Sequence, residues 1–472
     1  MTKTAAIIGG GVIGGGWAAR FALSGWDVAI FDPDAEAERK ISEVMANARR
    51  SLPALSEVAL PPEGQVKIVR TIAEAVAGAD WIQESAPERL EMKHKIFNDI
   101  QTYCHKDALI GSSTSGFKPS ELQQGALRPN QIFVAHPFNP VYLLPLIELV
   151  GDDATTTRAH TVLAEIGMKP LKVRKEIDAH VADRFLEAVW REALWLIKDG
   201  IATTEEIDDA IRFGFGLRWG QMGLFETYRV AGGEAGMAHF IEQFGPCLQW
   251  PWTKLMDVPE LTDELVQMIA SQSDAQSGAH TIRELERIRD DNLVSMMRSL
   301  KGRDWGAGAL LNAHDARLEA KADPDFTKPI ISVARAIPID WTDYNGHMNE
   351  SRYGQLWSDA ADAVMKMIGA DAAYIESGLS YFTADTHTKF RNECHAGDNV
   401  TVVTTILEGA GKKLRLFHEL KNTDGDVVAT CNQFLLHVSL ETRKSCDPAA
   451  HVSDKLTSII AVQAALPKPE RT

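Results

Sequence analysis

Three polar side chains capable of joint chemistry fall between Ser112 and Glu148: the hydroxyl of Ser115, the imidazole of His136 and the carboxylate of Glu148. Their segments read SSTSGF, HPFNP and PLIE. An imidazole can take a proton, a carboxylate can fix its tautomer and stabilise the imidazolium, and a hydroxyl can hydrogen-bond the reacting oxygen. Together they form a set for oxidising an alcohol. A second group, DYNGHMNESRY from Asp343 to Tyr353, lies beyond the reach of the first and calls for a separate catalytic domain.

Oxidation needs a hydride acceptor, and the N-terminus offers a site for one. The apolar run Thr4 to Ile8 leads into Gly9, Gly11 and Gly14 in G-x-G-x-x-G spacing, then into a helical pattern. A second apolar run, Asp27 to Phe31, ends in Asp32. Glycines let backbone N–H groups approach a pyrophosphate at a helix N-terminus, and the acid accepts from a ribose 2′-hydroxyl while repelling a 2′-phosphate. NAD is therefore expected over NADP. A tight structural turn is the competing reading of the glycines; the strand before, the helix after and the placed acid oppose it. Further apolar runs at 81–82, 108–110 and 132–134 alternate with helical patterns such as Arg89 to Ile100, the grammar of an α/β Rossmann doubly wound sheet. Glu84, Glu88, Ser115 and His136 fall at the carboxyl ends of its strands, where ligands bind.

From Ile177 the pattern turns helical, with helices expected over 181–197, 204–213, 235–244, 259–271 and 281–300. This is an all-α domain suited to covering the sheet and joining subunits, so a homodimer is expected. KADPDFTKP, from Lys321 to Pro329, has linker composition. Beyond it, a strand over 331–337, one long helix over 349–368 and strands over 400–406, 413–420 and 427–438 describe an α+β domain, a helix wrapped by a curved antiparallel sheet. The expected boundaries are 1–176, 177–320, a 321–329 linker, 330–445 and a 446–472 tail.

At GGGVIG, Ser112 to Ser115, H-x-F-N-P and P-L-x-E, the chain resembles the 3-hydroxyacyl-CoA dehydrogenase superfamily over about Lys3 to Leu300. The resemblance implies that His136 is the acid/base, Glu148 its partner and Ser115 a contact to the reacting oxygen. It also places Glu88 and Lys93, in PERLEMK, near cofactor and substrate; a salt-bridged surface helix start is the alternative. Family members acting on acyl-CoA carry V-N-R where this chain has Val181-Ala182-Asp183-Arg184, an acid that suits a cationic substrate. Nearby aromatics include Trp190, Trp219, Phe225, Tyr228, Trp250 and Trp252. Aromatic faces hold quaternary ammonium groups at about 0.5–2 kcal/mol each, although core packing is the commoner use of any one ring. HVADRFLEAVWREALWL and FETYRVAGGEAGM are similar to the L-carnitine 3-dehydrogenase branch, near L-gulonate dehydrogenase, which implies oxidation of carnitine to 3-dehydrocarnitine. Asp183, Trp219, Phe225 and Tyr228 are the substrate candidates. A 3-hydroxyacyl-CoA or a sugar acid is the other substrate reading.

D-x-x-G-H-M-N-x-x-x-Y resembles hot-dog thioesterases of the 4-hydroxybenzoyl-CoA type over about Ile331 to Leu440. That implies a CoA thioester substrate, betainyl-CoA fitting the same breakdown route, and Asp343 as nucleophile or general base. The Gly346 N–H is the candidate for polarising the thioester carbonyl, and Asn345, His347 and Asn349 for shaping the loop. Lys389, Arg391, Lys412, Lys413 and Arg415 are candidates for CoA phosphates, or equally a solvated strand face. Ordinary capping before a helix is the local alternative for Asp343, and a non-catalytic dimerisation or acyl-CoA-sensing module the alternative for the domain.

Composition limits the partners. The 472 residues carry 49 basic against 65 acidic side chains, a formal charge of −16, which opposes nucleic acid or anionic membrane as a main partner. Small molecules are left. Five scattered cysteines without metal-type spacing fit reduced thiols in a cytoplasm, no metal site is called among them, and no run reaches membrane-spanning length.

Overall fold

The computed structural model describes residues 3–56, 58–231, 240–241, 253, 260, 262–277, 279–321 and 324–467. The helix expected over 235–244 and the rings of Trp250 and Trp252 fall largely outside them. The chain divides into two compact units: the first holds most residues through Leu310, the second holds Leu311 onward with the short segments 23–25 and 46–63. The helices that follow the sheet, as far as Lys301, belong to the first unit.

In the first unit, strands β1 (Thr4–Ile8), β2 (Asp27–Phe31), β3 (Val66–Ile68), β4 (Trp81–Glu84), β5 (Leu109–Ser112), β6 (Ile132–Pro137), β7 (Leu146–Val150) and β8 (Lys169–Lys172) form one sheet. Its order is β3-β2-β1-β4-β5-β6-β7-β8. All neighbours are parallel except β6 and β7. Chain order reverses between β1 and β4, which opens the crevice at their carboxyl ends. Strands covered on both faces need apolar residues throughout, and β4 and β6 are buried at every position. The sheet and its helices close over a core that includes Ile8, Ile82, Phe97, Ile110 and Val134. Three strands of this sheet were not foreseen: β3, three residues long, β7, whose PLIE reads equally well as a loop, and β8.

The helical part begins with Ala182–Lys198, close to expectation, and continues through Thr204–Ala210, Gly216–Ala231, Asp263–Ser277 and Ile282–Lys301. Thr203 and Thr281 start two of these with reciprocal capping boxes to Glu206 and Glu284. A further helix, Ala307–Lys321, runs into the stretch read as linker.

The second unit is a five-stranded antiparallel sheet of β9 (Ile330–Ala336), β10 (Leu379–Phe390), β11 (Asn399–Glu408), β12 (Lys413–Lys421) and β13 (Val427–Ser439), in the order β10-β13-β12-β11-β9. Burial alternates along β11 and β12, as in a sheet with one face packed. Helix Glu350–Met367 lays Tyr353, Leu356, Trp357, Ala360 and Val364 on that face. Beneath it, His418 stacks on Trp357 with ring centroids 5.8 Å apart and bonds both Thr404 and Gln433; burial pushes its imidazole down to about 4. The stretch expected as a tail is instead structured. Helix Ala450–Gln463 buries Val452, Leu456 and Ile459, and the Gln463 side chain accepts from the Ile406 N–H at 2.8 Å.

Candidate active sites

The glycine turn at the end of β1 divides its work as the motif requires. Gly9 has φ +101°, and a Cβ there would lie 2.6 Å from the Ser85 carbonyl oxygen. A Cβ on Gly14 would lie 1.7 Å from the Gly9 oxygen, so helix Val12–Ala22 packs onto the strand only with glycine there. Gly11 has nothing within 4 Å of its Cβ position, leaving its backbone open to a phosphate. Asp32, at the end of β2, accepts from the Gly10 N–H at 2.5 Å and from Asp34 N–H at 2.7 Å. These residues fit a dinucleotide: an open backbone, a helix N-terminus and an acid held ready beside them.

Lys93 proves to be buried rather than at a surface helix start. Its ammonium is 1% exposed and lies 2.8 and 3.0 Å from the two oxygens of Glu84, itself fully buried. Glu88 lies 3.2 Å from the same ammonium and accepts from the Thr114 hydroxyl. Ser112 donates to Glu84 at 2.5 Å. A buried cation needs such a partner, and Glu84 is the residue whose role the sequence did not separate from other loop acids.

His136 lies near the end of β6, and the antiparallel register of β7 sets Glu148 directly opposite it. Nδ1 of His136 is 3.0 Å from Glu148 Oε2, while Oε1 accepts from the Val181 and Ala182 N–H groups at 2.9 and 3.0 Å. Burial acts to raise the Glu148 carboxyl; His136 and those two N–H groups outweigh it and hold the carboxyl below its ordinary value. Glu148 is thus an anion fixed at the start of helix Ala182–Lys198, where the helix dipole also favours it. With Nδ1 facing the carboxylate, Nε2 is the nitrogen left to accept a proton. Asp183, in the helix's first turn, places Oδ2 3.5 Å from that Nε2, and burial raises its carboxyl above the ordinary value.

His180 is the residue that sequence reading missed. It is fully buried, its ring centroid lies 5.5 Å from that of His136, and its Nε2 contacts the Thr114 carbonyl at 3.2 Å. Nδ1 has no hydrogen-bond partner among the described residues. Burial first, and the charge of His136 next, lower its pKa, so the ring is neutral. His180 and Ala179 both adopt left-handed φ, +51° and +58°, uncommon for non-glycine residues. Ser115 is exposed on the loop after β5, and the tie from that loop to His136 runs through His180.

The aromatic candidates differ in their surroundings. Trp219 packs on Phe215 at 4.6 Å, Tyr228 stacks on Phe240 at 4.7 Å, and Phe225 is 70% exposed. The ring contacts of His136 are with Phe138 and His180. Of the four substrate candidates, Asp183 is the one drawn to His136.

In the second unit Asp343 is half-buried in a turn ahead of helix Glu350–Met367. Its Oδ1 accepts from the Asn345 N–H at 2.8 Å, and Asn349 caps the helix by accepting from the Ser351 N–H. Asp343 is therefore not the cap. The Gly346 N–H, expected to face a thioester carbonyl, donates to the Asp343 carbonyl at 3.0 Å and closes the turn, with φ +79° explaining the glycine. Tyr353 packs edge-on to Phe390 at 4.9 Å. Among the basic candidates Arg415 is engaged, bonding Asn432 and lying 4.8 Å over Phe434; Arg391, Lys412 and Lys413 are exposed and Lys389 is partly so.

The geometry agrees with what the chain is similar to. The 3-hydroxyacyl-CoA dehydrogenase NAD-binding domain matches residues 4–177, the C-terminal domain of that family residues 180–267, and the thioesterase-like superfamily residues 337–456. A protein of Ruegeria pomeroyi named L-carnitine dehydrogenase/betainyl-CoA thioesterase is 65% identical, over 99% of this chain and 98% of its own. One of Rhizobium meliloti with the same name is 52% identical over 100% and 97%. The L-carnitine dehydrogenase of Pseudomonas putida is 51% identical over 63% of this chain and 94% of its own. Among solved structures, the 5-formyl-3-hydroxy-2-methylpyridine 4-carboxylic acid 5-dehydrogenase, an NAD+-dependent dismutase, shares 28% identity and a TM-score of 0.56 over 64% of this chain and 99% of its own. The chain belongs to the family of L-carnitine dehydrogenase/betainyl-CoA thioesterases, a 3-hydroxyacyl-CoA dehydrogenase joined to a thioesterase-like domain.

Proposed function

We propose that the chain is a bifunctional enzyme that oxidises L-carnitine to 3-dehydrocarnitine with NAD and hydrolyses a CoA thioester, betainyl-CoA. The observation that carries the first reaction is the His136, Glu148 and Asp183 arrangement. Carnitine bears its hydroxyl and its quaternary nitrogen on adjacent carbons. A carboxylate 3.5 Å from the proton acceptor is therefore within reach of the cation when the hydroxyl meets His136. A 3-hydroxyacyl thioester offers its neighbouring carbonyl instead, and an ionised carboxylate has no hydrogen to donate to it.

The roles follow from the contacts. Nε2 of His136 accepts the hydroxyl proton, and Glu148, ionised and held by two backbone N–H groups, stabilises the imidazolium. Ser115 bonds the reacting oxygen from the loop that His180 holds at Thr114. Gly9, Gly11, Gly14 and Asp32 hold NAD, with Glu88 and Lys93 beside them. NAD, when bound, takes the hydride from the carbinol carbon. Asp183 holds the ammonium; Trp219, Phe225 and Tyr228 have no part in this assignment. Asp343 serves as nucleophile or general base toward the thioester, its carboxylate aimed by the Asn345 N–H. A homodimer in the cytoplasm is the working form. Phe185, Leu186 and Trp190, each more than half exposed on helix Ala182–Lys198, support the former, and the four cysteines among the described residues, all unpaired, the latter.

Asp183→Asn tests the substrate assignment. It keeps the size and removes the charge, a loss of about 1–2 kcal/mol in binding a quaternary cation. Steady-state kinetics should show the carnitine KM rising by about 5–30-fold with a smaller change in kcat. An unchanged KM rules out Asp183 as the ammonium partner.

A further inference from the structure

Outside the groups used above, His347, Glu393 and His395 converge in the second unit. His347 and His395 face each other across an isolated antiparallel bridge, their rings 5.0 Å apart and inclined by 79°. The Met348 N–H donates to the Cys394 carbonyl at 2.7 Å, which fixes this pairing from the backbone. Glu393 Oε2 lies 3.4 Å from His347 Nε2. One donor atom from each of the three side chains lies within 4.8 Å of the other two. Among the described residues no other group of three or more histidine, cysteine or acidic side chains is gathered in this way.

A surface ion pair of His347 with Glu393 explains one contact of the three. It leaves unexplained why a second imidazole is held against the first. His395 also has an outer carboxylate: Asp398 Oδ2 lies 3.6 Å from its Nδ1 and accepts from its backbone N–H at 2.7 Å. A carboxylate behind one ring nitrogen of a histidine that presents the other outward is the usual outer support of a metal-ligating imidazole.

We propose that His347, Glu393 and His395 bind a divalent transition-metal cation of the Zn2+ class. Two imidazoles and one carboxylate suit Zn2+ better than Mg2+ or Ca2+, which take oxygen ligands, and three protein ligands leave one tetrahedral position open. The donor atoms are further apart than in a closed site, and all three side chains are more than a third exposed, so they have room to draw in around the ion. The site adjoins the Asp343 turn through backbone bonds: the Asp343 N–H donates to the His347 carbonyl at 2.9 Å, and Thr342 bridges Met348. A cation here braces the segment that presents Asp343. The proposal does not depend on the thioester reaction, because it concerns binding alone.

The test is calorimetric titration of the untagged, chelator-treated full chain with Zn2+ alone, beside His395→Ala and Glu393→Gln. The expected result is one saturable equivalent in the parent chain, weakened at least about tenfold in each variant, with a Zn2+-dependent rise in the melting temperature of the second unit that both variants lose. Carnitine oxidation and the metal-free melting temperature, unchanged in the variants, report that they fold. No saturable binding by the parent chain overturns the proposal. Binding that persists unweakened in folded variants overturns it equally, since the ion is then held elsewhere.

Discussion

His136→Ala should lower kcat for carnitine oxidation by about a thousandfold, the middle of the range for loss of a positioned general base. The fold should survive the change. Glu148, the buried partner, keeps its two backbone N–H bonds when the imidazole is removed, so its charge is not left bare. Cofactor affinity should change little, because the glycine turn and Asp32 do not depend on β6. Hydrolysis of betainyl-CoA by the same chain provides the internal control. A variant with kcat within a few-fold of the parent places the proton acceptor elsewhere.

Asp343→Asn is the counterpart in the second unit, and it should abolish thioester hydrolysis to about 10²–10⁴-fold below the parent while carnitine oxidation continues. Asparagine is the right substitution because its side-chain oxygen still accepts from the Asn345 N–H and the turn is kept. What it lacks is the charge needed for attack or proton transfer. If Asp343 were only a turn residue, this variant would hydrolyse normally. Hydrolysis retained in Asp343→Asn places the nucleophile or base at another residue of this domain, whereas hydrolysis absent from the parent favours the reading of the domain as a dimerisation or acyl-CoA-sensing module.

The parts of the fold that sequence displayed are those where local chemistry and tertiary role coincide. Gly9, Gly11 and Gly14 are needed by the backbone itself, and the alternation along β11 and β12 is the burial pattern itself. The pairing of His136 with Glu148 was legible as two residue types in two motifs. Its cause was not: the pair is made by the antiparallel register of β7 on β6, a pairing that a short apolar run does not display by itself. His180 was invisible for a similar reason. Nothing in DAHVAD marks two consecutive left-handed residues, which persist because the surrounding helix start and the Thr114 loop hold them. For Lys93 the polar neighbours PERLEMK left a surface helix start open beside the reading near cofactor and substrate, and Glu84, a strand away, is what makes its burial possible. For the aromatics, abundance alone did not separate a cation site from packing, and Trp219 and Tyr228 each have a ring neighbour, Phe215 and Phe240. Gly346 was placed in the right loop, with its N–H turned to the Asp343 carbonyl rather than outward.

The central claim is that the first unit oxidises a small quaternary-ammonium alcohol rather than an acyl-CoA. It is tested most directly by following NADH formation by the purified full chain with L-carnitine and, separately, with 3-hydroxybutyryl-CoA. NADH formed from L-carnitine and at most a trace from the thioester is the expected result. Turnover of 3-hydroxybutyryl-CoA with none of L-carnitine contradicts it.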